Sequence, residues 1–472
     1  MDMVILVFCM PFTSQSRRMC FRNTCIISSM IMFICAFNLW IPSMLPYSEF
    51  IVRRWRAQSR QNLMAQPKFD FLSNYKNPCF IKKEATRGSN MNVSDGDWKE
   101  MPQDSNNMKR YNTGRGLNQD TKLPRDPKPT AGSEIDQNKY QGINRRKYSG
   151  HRLYCLPYFI IAGFPKCGTT DLWHRMIQHP DIVVHPEKEP MFFDNRRFYN
   201  DTPTISPPVS RIEKDGTWLL ETYLEFFTEP TTYIEKHFDA RNEEPYHDKI
   251  TGEGSSNTMP INDEWFQLPE NANLREPKYT NADHVHHLTP QIKIIVMIRD
   301  PVERLLSGHL YFSEKYKYDT NKELFHNVVI DAVNKFKDCL KYNTERGCAY
   351  DKSITTIKNR IRVGLYAVHI ADWFRVFSRQ QFLFLKTEDY IKDVRATLVK
   401  VFDFLQLEFP PLQSQSSMLS KEKINRRTKT FEMLPATRKL LQDFYRPYND
   451  RLWKLLGDER FHYTYPEIDS FK

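Results

Sequence analysis

Lys166 stands inside a short loop, Gly163-Phe164-Pro165-Lys166-Cys167-Gly168-Thr169-Thr170, that follows the apolar run Phe159–Ala162 and ends on two hydroxyl residues. Unpaired N–H groups at the start of the next helix, with the helix dipole, attract an anion, and glycine lets a phosphate come close to the backbone. A loop built for magnesium and a nucleoside triphosphate reads G-x-x-x-x-G-K-[ST], its lysine reaching the outer phosphates and its hydroxyl holding the metal. Here Gly163 and Gly168 keep that interval, but Thr169 takes the lysine's place. A second apolar run, Ile292–Ile298, ends in Arg299-Asp300-Pro301, where the arginine would repel a metal ion. The pattern predicts a phosphorylated ligand handled without magnesium, and a nucleotide kinase is the reading it opposes. No cysteine spacing fits a zinc site, so no metal is expected.

These loops need strands to carry them. Phe159–Ala162 and Ile292–Ile298 are nearly continuous apolar runs of the kind found in strands covered on both faces. Weaker strand candidates are Asp181–Val184 and Lys249–Gly254; Gln381–Lys386 is stronger. Helical patterns cover 355–377, 394–407 and 434–457. Alternating runs, loops and helices predict a three-layer, P-loop-like α/β domain with a central, mainly parallel sheet over residues 151–472. In such a sheet, ligands bind beyond the carboxyl ends of the strands.

Upstream, the longest stretch without a charge runs from Asn23 to Ser48, and its centre is about the length that crosses a ~30 Å hydrocarbon layer as a helix. Residues 25–45 are read as a transmembrane signal-anchor, with 1–24 a cytosolic tail and 46–150 a largely disordered luminal stem too polar to bury a core; a cleaved signal peptide competes with this. The arginines on the two sides of the span (Arg17, Arg18 and Arg22; Arg53, Arg54 and Arg56) do not orient it, and the luminal body is inferred from the bulk of the chain that follows. In an oxidising lumen, Cys339 and Cys348 would close a short loop and Cys79 could pair with Cys155, leaving Cys167 unpaired. Sequons at Asn92 and Asn200 would be usable there. The formal charge of +11 suits either a solvated surface or a polyanionic partner, and in a lumen an acidic polysaccharide is the better candidate than a nucleic acid.

The stretches PKCGTTDLW (165–173) and IVMIRDPVERLLSGHLYF (295–312) resemble the paired 5′-phosphosulfate and 3′-phosphate motifs of the Golgi carbohydrate sulfotransferases, which use 3′-phosphoadenosine 5′-phosphosulfate (PAPS) as donor. The resemblance implies that Lys166 contacts the oxygen between phosphate and sulfate, that Cys167, Gly168, Thr169 and Thr170 complete the 5′ cradle, and that Arg299 and Ser307 clamp the 3′-phosphate. It also implies that Glu189, ahead of Phe192 and Phe193, is the base; Glu187 and His185 are its neighbours and rivals. Arg426 and Arg427 resemble a basic loop over the donor, and Ser255 is a further contact candidate. Lys188, Arg196 and Arg197 are expected along a cleft for a sulfated polymer. The resemblance is nearest to the branch that sulfates the 6-hydroxyl of N-acetylgalactosamine 4-sulfate in chondroitin or dermatan sulfate, and implies a single-pass Golgi membrane enzyme. Another glycan acceptor such as heparan sulfate, or a catalytically silent glycan-binding protein, are the alternatives.

Overall fold

The computed structural model describes residues 64, 68–83, 151–198, 220–239, 245–420 and 431–465. Among these, no helix is long and apolar enough to cross a membrane. This corrects the expected transmembrane helix, and the membrane anchoring and Golgi placement that rested on it are set aside. The segment that carried that expectation, 25–45, lies outside the described residues, as do the tail 1–24 and most of the stem.

The α/β class holds. Strands β1 (Cys79–Lys83) and β2 (His151–Cys155) form an antiparallel pair, and β3 (Phe159–Gly163), β4 (Gly252–Glu253), β5 (Lys293–Ile298) and β6 (Phe382–Lys386) form a parallel sheet in the order β4-β3-β5-β6. Every residue of β3 is buried, as is all of β5 after Lys293, which is why both read as unbroken apolar runs rather than alternating ones. They sit side by side at the centre, Ile160 opposite Ile294 and Ile161 opposite Ile295, until the register shifts at Gly163. That irregularity ends the pairing where the chain must leave for the lysine loop.

Helix α1 (Thr169–Met176) follows β3 directly, and α2 (Pro301–Tyr316) follows β5. Pro301 sits in the first turn of α2, and the Asp300 side chain accepts from the Val302 amide at 2.8 Å, so the Arg299-Asp300-Pro301 triplet is a helix start. Helix α3 (Lys322–Cys339) leads to the Cys339–Cys348 bridge, and α4 (Tyr366–Phe374) packs on the long C-terminal α5 (Pro435–Leu456). Gly457 ends α5 in a left-handed conformation, its amide donating to the Trp453 carbonyl.

Two local expectations change. Asp181–Val184 lies between Pro180 and Pro186 and makes only the Ile182–Ile250 bridge; Lys249–Gly254 shortens to the two residues of β4. The helical pattern of 355–377 becomes a helix only at Tyr366. Before it, the Asn359 side chain accepts from the Ile361 amide and donates to the Val328 carbonyl, while Arg362 donates to the Ala349 carbonyl and to Asp263. These long-range bonds hold the segment irregular and bring it against α2.

Within the stretch expected as a stem, residues 68–83 carry β1, and Cys79 is bridged to Cys155 directly opposite it in β2.

Candidate active site

The loop after β3 is held from beneath. Lys166 (φ 70°) and Gly168 (φ 91°) both take left-handed backbone, a conformation that glycine adopts without a side-chain penalty. The Thr387 hydroxyl donates to the Cys167 carbonyl at 2.7 Å and lies 3.0 Å from that of Ile298, the last residue of β5. Tyr366 adds a second tie, donating to the Arg299 carbonyl at 2.9 Å while its oxygen lies 3.9 Å from the Cys167 sulfur. The turns after β3 and β5 are thereby locked side by side. Gly168 caps α1, and the Leu172 amide returns to the Gly168 carbonyl, so the amides of Thr169 and Thr170 precede the first intrahelical bond.

A cleft of about 460 Å³ opens over this loop. Lys166, Thr169, Thr170 and Glu189 all line it. Its far wall is built by Tyr311, Phe312, Lys315 and Tyr316 of α2, with Lys352 and, from the irregular segment, Ile357, Arg360 and Arg362. The Lys166 ammonium lies 3.6 Å from the centroid of the Tyr311 ring, a cation–π contact, and the Arg360 guanidinium is 5.4 Å from the Phe312 ring. Glu189 is 28% exposed; its Oε1 takes the Lys188 ammonium at 2.5 Å and the Ser256 hydroxyl at 3.2 Å.

The other expected residues sit elsewhere. The Cys167 thiol is fully buried, and burial pushes it up to about 11; its amide is used by the Phe164 carbonyl. Arg299 is half-buried at the end of β5, and Ser307 is buried on α2 one residue before Gly308, which faces the Lys166 stem. Ser255 is buried, its hydroxyl accepting from the Met191 amide. His185 accepts from the Glu187 amide and packs 4.1 Å from the Phe226 ring. Phe192 stacks on Tyr223 in the core. Two expectations for the cleft wall are corrected: Lys188 turns inward to Glu189, and Arg197 is fully buried, donating to the Phe193 carbonyl and the Asn281 side chain. Arg426, Arg427, Asn92, Asn200 and the side chain of Arg196 lie outside what the structure describes.

The family model for the sulfotransferase domain matches residues 156–446, which contain β3, β5, both turns and the whole cleft. The chain belongs to the sulfotransferase family. Carbohydrate sulfotransferase 15 of Homo sapiens is 36% identical to this sulfotransferase over 322 residues, 66% of this chain and 55% of the human protein. Heparan sulfate glucosamine 3-O-sulfotransferase 6 of Homo sapiens is 26% identical over 195 residues, 37% of this chain and 50% of that one. A solved sulfotransferase from Alicyclobacillus acidocaldarius aligns at 21% identity with a TM-score of 0.39, over 64% of this chain and 96% of that one, a likeness too loose to argue from. The chain spans about half the length of the curated relatives it matches.

Sequence reasoning passed over the α2 wall. Its signal was there: Tyr311 and Lys315 are four residues apart and Phe312 and Tyr316 likewise, which stacks each pair along one helix face. That the carboxyls of Asp194 and Glu253 are buried was not legible either, because nothing in their spacing marks them so.

Proposed function

We propose that this sulfotransferase moves a sulfuryl group from PAPS to a hydroxyl of an acidic glycosaminoglycan, best the 6-hydroxyl of N-acetylgalactosamine 4-sulfate in chondroitin or dermatan sulfate. One observation carries the reading: a loop lysine, the start of a helix and the Glu189 carboxylate line the same cleft, whose opposite wall is aromatic and basic. The phosphosulfate end of the donor calls for a cation and N–H groups, which Lys166 and the first turn of α1 supply. A sulfated sugar calls for ring faces to stack on and cations for its charge, which Tyr311, Phe312, Lys315, Tyr316 and Arg360 supply.

The reaction is an in-line displacement. Glu189 takes the proton from the sugar hydroxyl as that oxygen attacks sulfur, the bond from sulfur to the phosphate oxygen breaks, and Lys166 balances the charge gathering on the leaving phosphate. Arg299 and Ser307 hold the 3′-phosphate in this reading, supported by their places on and after the turn that is tied to the lysine loop.

The full chain incubated with labelled PAPS and with chondroitin, dermatan and heparan chains, followed by disaccharide analysis, tests it. Sulfate is expected at the 6-position of 4-sulfated N-acetylgalactosamine, and Lys166→Ala is expected to lower turnover by about 100-fold or more. Label found only in heparan would move the acceptor assignment, and binding of these chains without any transfer would end the enzymatic reading.

A further inference from the structure

Gly254 follows β4, and its amide donates to the Lys188 carbonyl at 2.9 Å. A methyl group placed on Gly254 would stand 2.8 Å from both Cγ and Cε of Lys188, with Trp173 at 3.1 Å. The lysine stem therefore runs flat across a stretch of backbone that has no side chain to block it. This course leaves only 12% of the Lys188 side chain exposed and brings its Nζ to 2.5 Å from Glu189 Oε1. Ser256 Oγ donates to the same oxygen. Among the described residues Oε2 accepts no hydrogen bond, and Glu189 lines the cleft.

Two more carboxyls lie near this pair. Asp194, in the π-helical turn Phe192–Arg196, and Glu253, on β4, are both about 1% exposed, and none of their carboxyl oxygens has a hydrogen-bond partner among the described residues. Asn257 faces Asp194 and the Tyr223 hydroxyl faces Glu253, neither in hydrogen-bond geometry. The Glu189 charge adds to the raising of both. Arg360 opposes Asp194 from the far wall, His174 faces Lys188 from α1, and the ammonium in direct contact with Glu189 is that of Lys188.

We propose that Lys188, threaded across Gly254, is the positioning residue that holds Glu189 by Oε1 and so leaves Oε2 turned to take the acceptor proton. The proposal rests on Glu189 being the base. Gly254 has its role here because any side chain there would lift the lysine stem and swing the ammonium away.

The kcat and KM for sulfuryl transfer from PAPS to chondroitin, measured with the full chain, test this alongside calorimetric binding of the product nucleotide 3′-phosphoadenosine 5′-phosphate. Lys188→Met keeps the stem and loses the charge. It is expected to lower kcat by about 10-fold or more, with the KM for PAPS and the nucleotide affinity within about twofold of the parent. Gly254→Ala should act in the same direction, and Lys188→Arg should restore part of the rate. Unchanged kcat in Lys188→Met, or a parallel loss of nucleotide affinity, would overturn the positioning role. The control is Glu189→Gln: if it is inactive while Lys188→Met is unaffected, only the lysine's role is lost. If Glu189→Gln turns over like the parent, the base assignment fails and this proposal fails with it.

Discussion

Cys167 shows how far a residue's chemistry depends on what surrounds it. In the sequence it is an unpaired thiol inside a phosphate loop, next to the lysine. In the fold its sulfur is beneath the loop against Tyr366, and burial holds the thiol well above the range in which it forms a thiolate at neutral pH. We expect Cys167 to resist iodoacetamide in the native protein at pH 7.5 and to be alkylated stoichiometrically in denaturant, as read by mass spectrometry. Rapid native labelling would mean that the loop opens. Glu189 carries the opposite lesson, since it and Glu187 are both glutamates of one polar loop, yet it is Glu189 that lines the cleft with Lys188 and Ser256 on its carboxylate.

At the scale of elements, the site is where two turns meet, and the short strand β4 with the turn Phe192–Arg196 brings buried acid beside it. Burial pushes Asp194 up to about 7 and Glu253 up to about 8, with the Asp194 charge adding to the Glu253 shift and the Glu189 charge to both. Because both are raised above their unfolded values, the folded chain holds protons that the unfolded chain gives up. The associated stability is complete below about pH 4 and is lost as pH climbs towards 8, by roughly 1.4 kcal/mol per pH unit for each group. On the acid side His284 and His369, which burial holds down at about 4, act in the opposite sense. Thermal melts from pH 5 to 9 should therefore separate Glu253→Gln from the parent progressively as pH rises, the variant gaining relative stability. A difference between the two that did not change with pH would refute the buried-acid account. The irregular chain before α4 teaches a related point: its amphipathic pattern is real, but the bonds of Asn359 and Arg362 to distant carbonyls outweigh helix formation.

Across the whole molecule, the parallel sheet and its helices bury one large core, and the antiparallel pair β1–β2 fastens residues from far upstream onto it. The Cys79–Cys155 bridge closes a separation of 76 residues. A long closed loop restricts the unfolded chain strongly, so replacing both cysteines by serine should lower the unfolding free energy by about 2–5 kcal/mol. Denaturant titration of the paired variant checks this, and a loss near zero would show that β1 contributes little to the fold.

The order of the chain was sufficient for the α/β class, for the two central strands and for the lysine loop, because continuous apolar runs can be covered only inside a parallel sheet and because phosphate chemistry is written in local spacing. It was not sufficient for the membrane helix, which no described residue supports, or for the cleft wall, where Lys188 and Arg197 turned inward and α2 supplied the aromatic and basic face instead. Which charged side chain faces water and which is buried on a partner depends on residues brought close only by folding: Gly254 beneath Lys188, Asn281 beside Arg197, Tyr311 over Lys166. Those pairings depend on the desolvation and contact energies of the packed molecule, and local sequence spacing does not encode them.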